Sequence, residues 1–432
     1  MNSNQLKYIL QNFALVYNLE DINQIDLELA IDSKSKIVVL KELNNISETP
    51  IRTAWKDINI PFLYNNFLKH EIISQQNGQT IINYDILSPI FHLLSGKQEI
   101  DCKTKDKYNR FEYKNSLQYK FGFTDIPLVN YYFDILKTAI ELAYGIKLEF
   151  RHKFTTCLTH DIDEVNSAWK HRIRIALENK KYLKATTNFL KHLIKPFYPW
   201  QNINEILFLE EKLKVNSTFF FLTNHNKIDK IKNADYQLKE KYIQNIMCNI
   251  KSVNSEIALH GSYKTHDNLK KIKHDLTFLN QETKGNRFHF LQWEMGKTPL
   301  IIEKSELAYD TTLGFQEQIG FRNGICTPFY LYNFKDEKAY NFLEIPLNIM
   351  DCSLAFENYM NINSKNVIKT ITPMINEIKK FEGALTINWH NTFFSDYTNK
   401  NWGEIYTEII NICKAKNSIF VTCEEITKIY NN

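Results

Sequence analysis

From residue 151 onward the chain is a succession of short apolar runs separated by longer polar stretches that suit helices. This alternation constrains the fold more than any other feature of the sequence. The runs are KFTTCLTH (153–160), NSTFFFLT (216–223), SEIALH (255–260), RFHFLQW (287–293), LAYDTTLG (307–314), FLEIPL (342–347), GALTINWH (383–390) and NSIFVT (417–422). Each has the length of a strand, and the connections have room for helices that cross back over a sheet. Eight such units predict the α/β class, as a (β/α) barrel or a related parallel β/α fold.

Polar, chemistry-bearing residues recur at the ends of these runs. Asp161 and Asp163 follow the first run and His260 ends the third. Arg287 and His289 lie on the fourth, Asp351 comes just after the sixth, and His390 ends the seventh, after Trp389. In β/α barrels the C-terminal strand ends converge on one face, where reacting groups gather. A single histidine is explained as a satisfied core residue and a single arginine as a surface ion pair. Their joint placement points to a site.

The stretch LTHDIDEV (158–165) is the densest part of this pattern. Strand side chains alternate, so Asp161 and Asp163 point the same way. Two buried carboxylates repel, and something cationic or a shared proton must compensate them. The structural alternative is a helix N-terminus, capped by Asp163 with Glu164 meeting the dipole. One Asp and two His form a common ligand set for Zn²⁺ or a similar divalent ion, with positions left open. A second carboxylate serves such a site as general base, and a histidine opposite serves as general acid. The combination suits hydrolysis of an amide or an ester.

In order along the chain, LTHDID, EIALHGSYKTH, GNRFHFLQW with AYDTTLG, LEIPL and INWHNT resemble the motifs of polysaccharide deacetylases, carbohydrate esterase family 4. The resemblance covers about residues 153–425. It implies a distorted (β/α) barrel and a divalent metal, Zn with Co or Ni as alternatives. It also implies removal of an acetyl group from an N-acetylated or O-acetylated sugar or glycan. By position it makes Asp161 the base, Asp163 and His260 metal ligands, Arg287 the residue that orients the base, and His390 the acid, with Asp351 and Trp389 in support. Three departures stand out. Ile162 separates an acid pair that is adjacent in the family. Lys264 occupies the place of the second metal histidine, so the third ligand is assigned to His266, with His289 as its rival. The interval from Asp163 to His260 is also longer than the family's. Residues 1–150 resemble the uncharacterised domain that precedes such deacetylases in some bacterial proteins, a likeness that carries no activity.

The excess length falls in WKHRIRIALENKKYLKATTNFLKHLIKPF (169–197), basic and helical in period. It reads either as a solvated face or as a contact for anionic lipid or a phosphate-linked glycan. The predicted organisation is therefore a smaller α/β domain over 1–150 and a deacetylase-like barrel over 151–432. Within the first domain SKIVVL (35–40) predicts a strand, residues 126–146 a helix, and residues 106–123 a loop and ribbon without a catalytic cluster. With 53 Lys and Arg against 49 Asp and Glu, the charge balance gives no reason to expect nucleic acid. Seven scattered cysteines without a CxxC pair argue against both a disulfide framework and a cysteine zinc site. The first 21 residues read as an amphipathic helix and not a signal peptide, and no run is long enough to span a membrane, which predicts a cytoplasmic protein. Two further readings share the fold: a catalytically silent glycan-binding or assembly protein, and a hydrolase of small non-sugar amides.

Overall fold

The computed structural model describes residues 1–19, 21–30, 33–194 and 198–431. The chain opens with the helix Ser3–Val16, started by a capping box in which Asn2 and Gln5 satisfy each other's backbone N–H groups. Six short strands follow: β1 (Leu27–Ala30), β2 (Ile37–Leu40), β3 (Ile51–Trp55), β4 (Ile58–Phe62), β5 (Ile73–Gln76) and β6 (Gln79–Ile82). Four of them form a sheet in the order β1-β2-β6-β5, and β3 and β4 pair as a separate hairpin. The helix Leu128–Tyr144 packs its apolar stripe against this smaller domain. Residues 106–123 contain no strand. They hold a loop, a 3₁₀ turn (Tyr113–Asn115) and a short helix (Leu117–Phe121), so the expected ribbon is absent.

The large sheet is built from β7 (Thr155–Ile162), β8 (Ser217–Leu222), β9 (Glu256–Gly261), β10 (Gly285–Phe288), β11 (Tyr309–Asp310), β12 (Phe329–Asn333), β13 (Lys338–Glu344), β14 (Ile349–Met350), β15 (Ala384–Asn388) and β16 (Ile419–Phe420). Its order is β12-β13-β11-β10-β9-β8-β7-β15-β14, with β16 beside the start of β7. Every pairing is parallel except β12 with β13. The sheet curls without closing, a half-barrel with β12 and β14 at its ends. All residues of β7, β8 and β15 are buried, with alternate side chains such as Leu158 and Cys157 entering two separate apolar clusters.

The fourth and fifth expected strands are shorter than their apolar runs. β10 stops at Phe288 because Phe290 and Leu291 adopt positive φ, 60° and 49°. β11 stops at Asp310, whose carboxylate accepts the Thr312 N–H and turns the chain. The antiparallel β12 was not expected. The basic insertion forms two helices, Ala168–Glu178 and Tyr182–Ile194, and its last residues, 195–197, lie outside the described part.

The smaller domain and the half-barrel share one continuous hydrophobic core, which runs from Tyr8 and Phe13 through Phe133 and Leu158 to Ile410. Polar contacts tie the same seam. Arg322 grips Glu99 with two bonds of 2.8 and 2.7 Å, both groups buried. Asn12 accepts the N–H of Tyr330 on the edge strand β12 and donates to its carbonyl. Among the described residues no helix is long and apolar enough to cross a membrane.

Candidate active site and metal centre

Register assembles the site. Arg287 lies beside His260 in the β10–β9 pairing, and Asn388 lies beside Thr159 in the β15–β7 pairing. Gly261 makes the close approach possible, since a Cβ there would lie 2.5 Å from the Phe288 ring and 2.8 Å from the Asn286 side-chain oxygen. No helix begins at Asp163. The next one starts at Ala168, which removes the capping explanation for this aspartate.

Three ligand-type atoms converge: the Asp163 carboxylate, His260 Nε2 and His289 Nδ1. The backbone fixes the tautomers of both rings. His260 Nδ1–H donates to the Arg287 carbonyl at 2.7 Å, which leaves Nε2 a bare lone pair. His289 Nε2–H donates to the Lys232 carbonyl at 3.2 Å, which leaves Nδ1 bare. The two bare nitrogens face each other at 3.1 Å, and Asp163 Oδ1 lies 3.2 Å from one and 3.5 Å from the other. Three lone pairs pointed at one another repel unless a positive charge sits among them. Asp163 Oδ1 is buried without a hydrogen-bond donor. Ligands about 2.05 Å from a tetrahedral ion lie about 3.3 Å apart, which is the spacing found here. The residues therefore fit a divalent cation.

Without a metal the proton takes that place. Burial works against the His260 cation, but Asp161 and Asp163 outweigh it and raise its pKa. Burial pushes His289 down to about 4, so this ring is neutral and ready to coordinate. Asp163 is lowered, the neighbouring histidines overcoming its burial.

Asp161 sits behind this group, buried at the end of β7. Its Oδ1 accepts Arg287 Nη1 at 2.9 Å and its Oδ2 accepts Asn388 Nδ2 at 2.8 Å. Burial raises its pKa, and the Arg287 guanidinium more than reverses that, so it is a carboxylate at neutral pH. Arg287 is completely buried, its other donors taken by Thr159 and Thr311, with Phe220 under the guanidinium. On the opposite side stands His390, with Nε2 3.8 Å from Asp163 Oδ2. Its Nδ1–H donates to Asp351 at 2.7 Å and its backbone N–H to the other Asp351 oxygen at 2.6 Å. Burial pulls the His390 pKa down, yet the Asp351 charge wins and holds it well above the usual imidazole range.

The structure thus brings together Asp161, Asp163, His260, Arg287, His289, Asp351 and His390. It does not bring His266, which groups with Asp267 and Glu294 beside a neighbouring cavity. The reason is local. After β9 the chain enters a tight turn, with Thr265 bonded back to Ser262 and Lys264 at φ 62°, so no helical turn carries position 266 back toward His260. Nor does Trp389 enter the site. It packs into the core against Trp402 and Tyr406, while Asn388 donates to Asp161 and His390 lines the cavity. Asn388 was missed in the sequence, although its place two residues before His390 is the available signal. His160, inside the same motif as the two aspartates, is a core residue bonded to Glu210 and the Trp389 carbonyl.

A cavity of about 310 Å³ opens over these groups, with apolar walls that include Phe290, Phe356 and Phe393. Such a space admits a small acyl group and part of what carries it.

Residues 2–145 match a family of unknown function, DUF7033. No curated protein matches the chain. Among solved structures it is similar to a candidate polysaccharide deacetylase from Mycobacterium smegmatis, at 14% identity, a TM-score of 0.43, and coverage of 65% of this chain and 91% of that one. Puue allantoinase is similar at 10% identity and TM-score 0.42, with coverage of 65% and 91%. Peptidoglycan deacetylase PdaC from Bacillus subtilis follows at 14% identity and TM-score 0.28, covering 65% and 93%. At these identities no residue's role passes from those chains to this one.

Proposed function

We propose that this protein is a metal-dependent hydrolase that removes an acetyl group from an N-acetylated or O-acetylated sugar or glycan. The single observation that carries the proposal is the meeting of three bare ligand atoms, Asp163, His260 and His289, with an arginine-held carboxylate behind them and a carboxylate-held histidine in front. A divalent cation held there, Zn with Co or Ni as alternatives, supplies polarisation of a carbonyl and acidification of a water. Asp161 is fixed by Arg287 and Asn388, and the remaining lone pair on its Oδ2 accepts the proton of the attacking water. Asp351 accepts the Nδ1 proton of His390 and its charge keeps the ring as the imidazolium, so Nε2 carries a second proton, which it delivers to the departing nitrogen. An amide needs this donation, since an amide anion is a very poor leaving group.

The rival readings, a silent glycan-binding protein or a hydrolase of a small non-sugar amide, differ in what they release. The test is to load the chain with Zn²⁺, Co²⁺ or Ni²⁺, dialyse, measure bound metal, and assay acetate release from N- and O-acetylated sugars. One retained equivalent with acetate release supports the proposal. A chain that retains no metal sinks it. Bound metal with turnover only on non-sugar amides favours the second rival. We extend the proposal to the helical insertion, where Leu183 is 87% exposed amid several lysines, as a contact for an anionic membrane surface. Cosedimentation with phosphatidylglycerol vesicles, lost on Leu183→Glu, checks it.

A further inference from the structure

The half-barrel does not enclose the catalytic cavity alone. Tyr108, from the smaller domain, lines it together with Phe290, Phe356 and Tyr359. The loop carrying Tyr108 is tied down on both sides of the ring. Asp106 accepts the N–H groups of Tyr108 and Arg110, each at 2.8 Å, and its carboxylate pairs with the Arg110 guanidinium at 2.7 Å. Arg110 is buried and donates to the Phe290 carbonyl at 2.6 Å and to Gln316 at 3.0 Å. Gln292 donates to the Tyr108 carbonyl at 3.3 Å.

These contacts have two effects. Phe290 and Leu291 sit in the left-handed region, a conformation that a non-glycine residue holds only with outside support. Arg110 gives that support to the turn that presents His289. The Tyr108 ring itself is half-buried, 5.1 Å from the Phe290 ring, and also borders the adjoining cavity of about 830 Å³. A half-buried side chain whose backbone is fixed and which lines two cavities is placed to meet a ligand and not to fill a core. Aromatic rings of this kind offer a flat apolar surface with a polar rim, suited to the C–H face of a pyranose.

We propose that the smaller domain forms one wall of the active site, and that Tyr108 is the binding residue against which a sugar ring of the substrate packs. This rests on the acetyl-sugar reading above. The test uses the full Zn²⁺-loaded chain as wild type, Tyr108→Ala and Tyr108→Phe. The probes are tetra-N-acetylchitotetraose, for calorimetric binding and hydrolysis, and 4-nitrophenyl acetate, which has no sugar. Tyr108→Ala should raise Kd and KM for the tetrasaccharide about tenfold or more with kcat within about threefold, and Tyr108→Phe should restore them. Bound metal and Tm should not change, and aryl acetate hydrolysis should fall less than tetrasaccharide hydrolysis. Unaltered tetrasaccharide binding in Tyr108→Ala, parallel loss on both probes with a lowered Tm, or no tetrasaccharide binding by the wild type would each overturn the proposal. If the wild type releases no acetate yet binds the tetrasaccharide through Tyr108, the hydrolase reading fails and the binding wall stands.

Discussion

Replacing Asp351 by Asn isolates the proton that leaves with the product. Asp351 is fully buried, and its carboxylate accepts three N–H groups: His390 Nδ1 at 2.7 Å, the His390 backbone at 2.6 Å and the Cys352 backbone at 2.6 Å. In either orientation the asparagine amide turns an NH₂ donor toward one of these donors. That conflict should cost about 1–3 kcal/mol of stability, read as a lower Tm. The larger consequence falls on His390. A hydrogen bond to a charged partner is worth about 1.5–3 kcal/mol, and it is the Asp351 charge that holds the His390 pKa up. The sign follows from the direction of the shift. Asp351 raises the pKa, so the acid form persists to higher pH and is lost as pH rises through that value. Without the carboxylate, the alkaline limb of kcat/KM should therefore move toward acid. The assay is a pH profile of acetate release from an N-acetylated sugar beside that of 4-nitrophenyl acetate, on Zn²⁺-loaded protein. Because the nitrophenolate leaves without protonation, only the amide profile should move, and His390→Ala should damage the amide reaction far more than the ester. Equal losses on both substrates with an unmoved alkaline limb would refute the assignment and return His390 to a structural role.

His289→Ala should abolish retention of Zn²⁺ after dialysis, whereas His266→Ala should leave it intact; the opposite pattern would restore the spacing argument. Asp161→Asn should keep the metal and lose roughly 10²–10⁴-fold in rate, and near wild-type turnover would remove its role as base. Arg287→Ala should destabilise the fold by about 3–5 kcal/mol as well as slow the reaction, because it leaves Asp161 buried and unpaired; an unchanged Tm would contradict this. Asp310 and Glu344 sit side by side in the β11–β13 register, both buried. Burial pushes Asp310 up to about 6, while burial and the Asp310 charge hold Glu344 well above the carboxylate range. Raised folded-state values stabilise most below the unfolded pKa of about 4, so this contribution should be lost as pH rises through about 6 and beyond. Thermal melts at pH 5 and 8 should show the decline, and Glu344→Gln should flatten it.

The strand ends were legible because chemistry and burial rarely coincide by accident. Asp161, Asp163, His260 and His390 each close or follow an apolar run and Arg287 opens one, and the sheet register brings them together. What sequence could not supply was the path of the chain beyond a strand end. Choosing between His266 and His289 depended on two turns with positive φ, at Lys264 and at Phe290, and neither position is a glycine that would have marked it. Tyr108 was invisible for a different reason. It lies in a polar, aromatic loop 53 residues before Asp161, and only tertiary docking of the smaller domain gives it a place over the cavity. β12 escaped because its pairing is antiparallel, outside the repeating strand–helix rhythm that exposed the others.

The seam between the two parts bears on the order in which the chain is made. Residues 1–150 leave the ribosome first, but the polar edge that receives Asn12 is at Tyr330, and the partner of Glu99 is Arg322. At synthesis rates of about 5–20 residues per second, the early segment waits roughly 10–35 s before those partners exist. Throughout that interval its apolar side has no cover and β12 has not yet been translated. A fragment ending near residue 150 is a permanent version of this waiting state, with an apolar surface suited to self-association. Nascent chains of this protein should accordingly depend on a holding chaperone, and a truncated chain starting at residue 151 should expose the unsealed edge of β12 to pairing with its own copies.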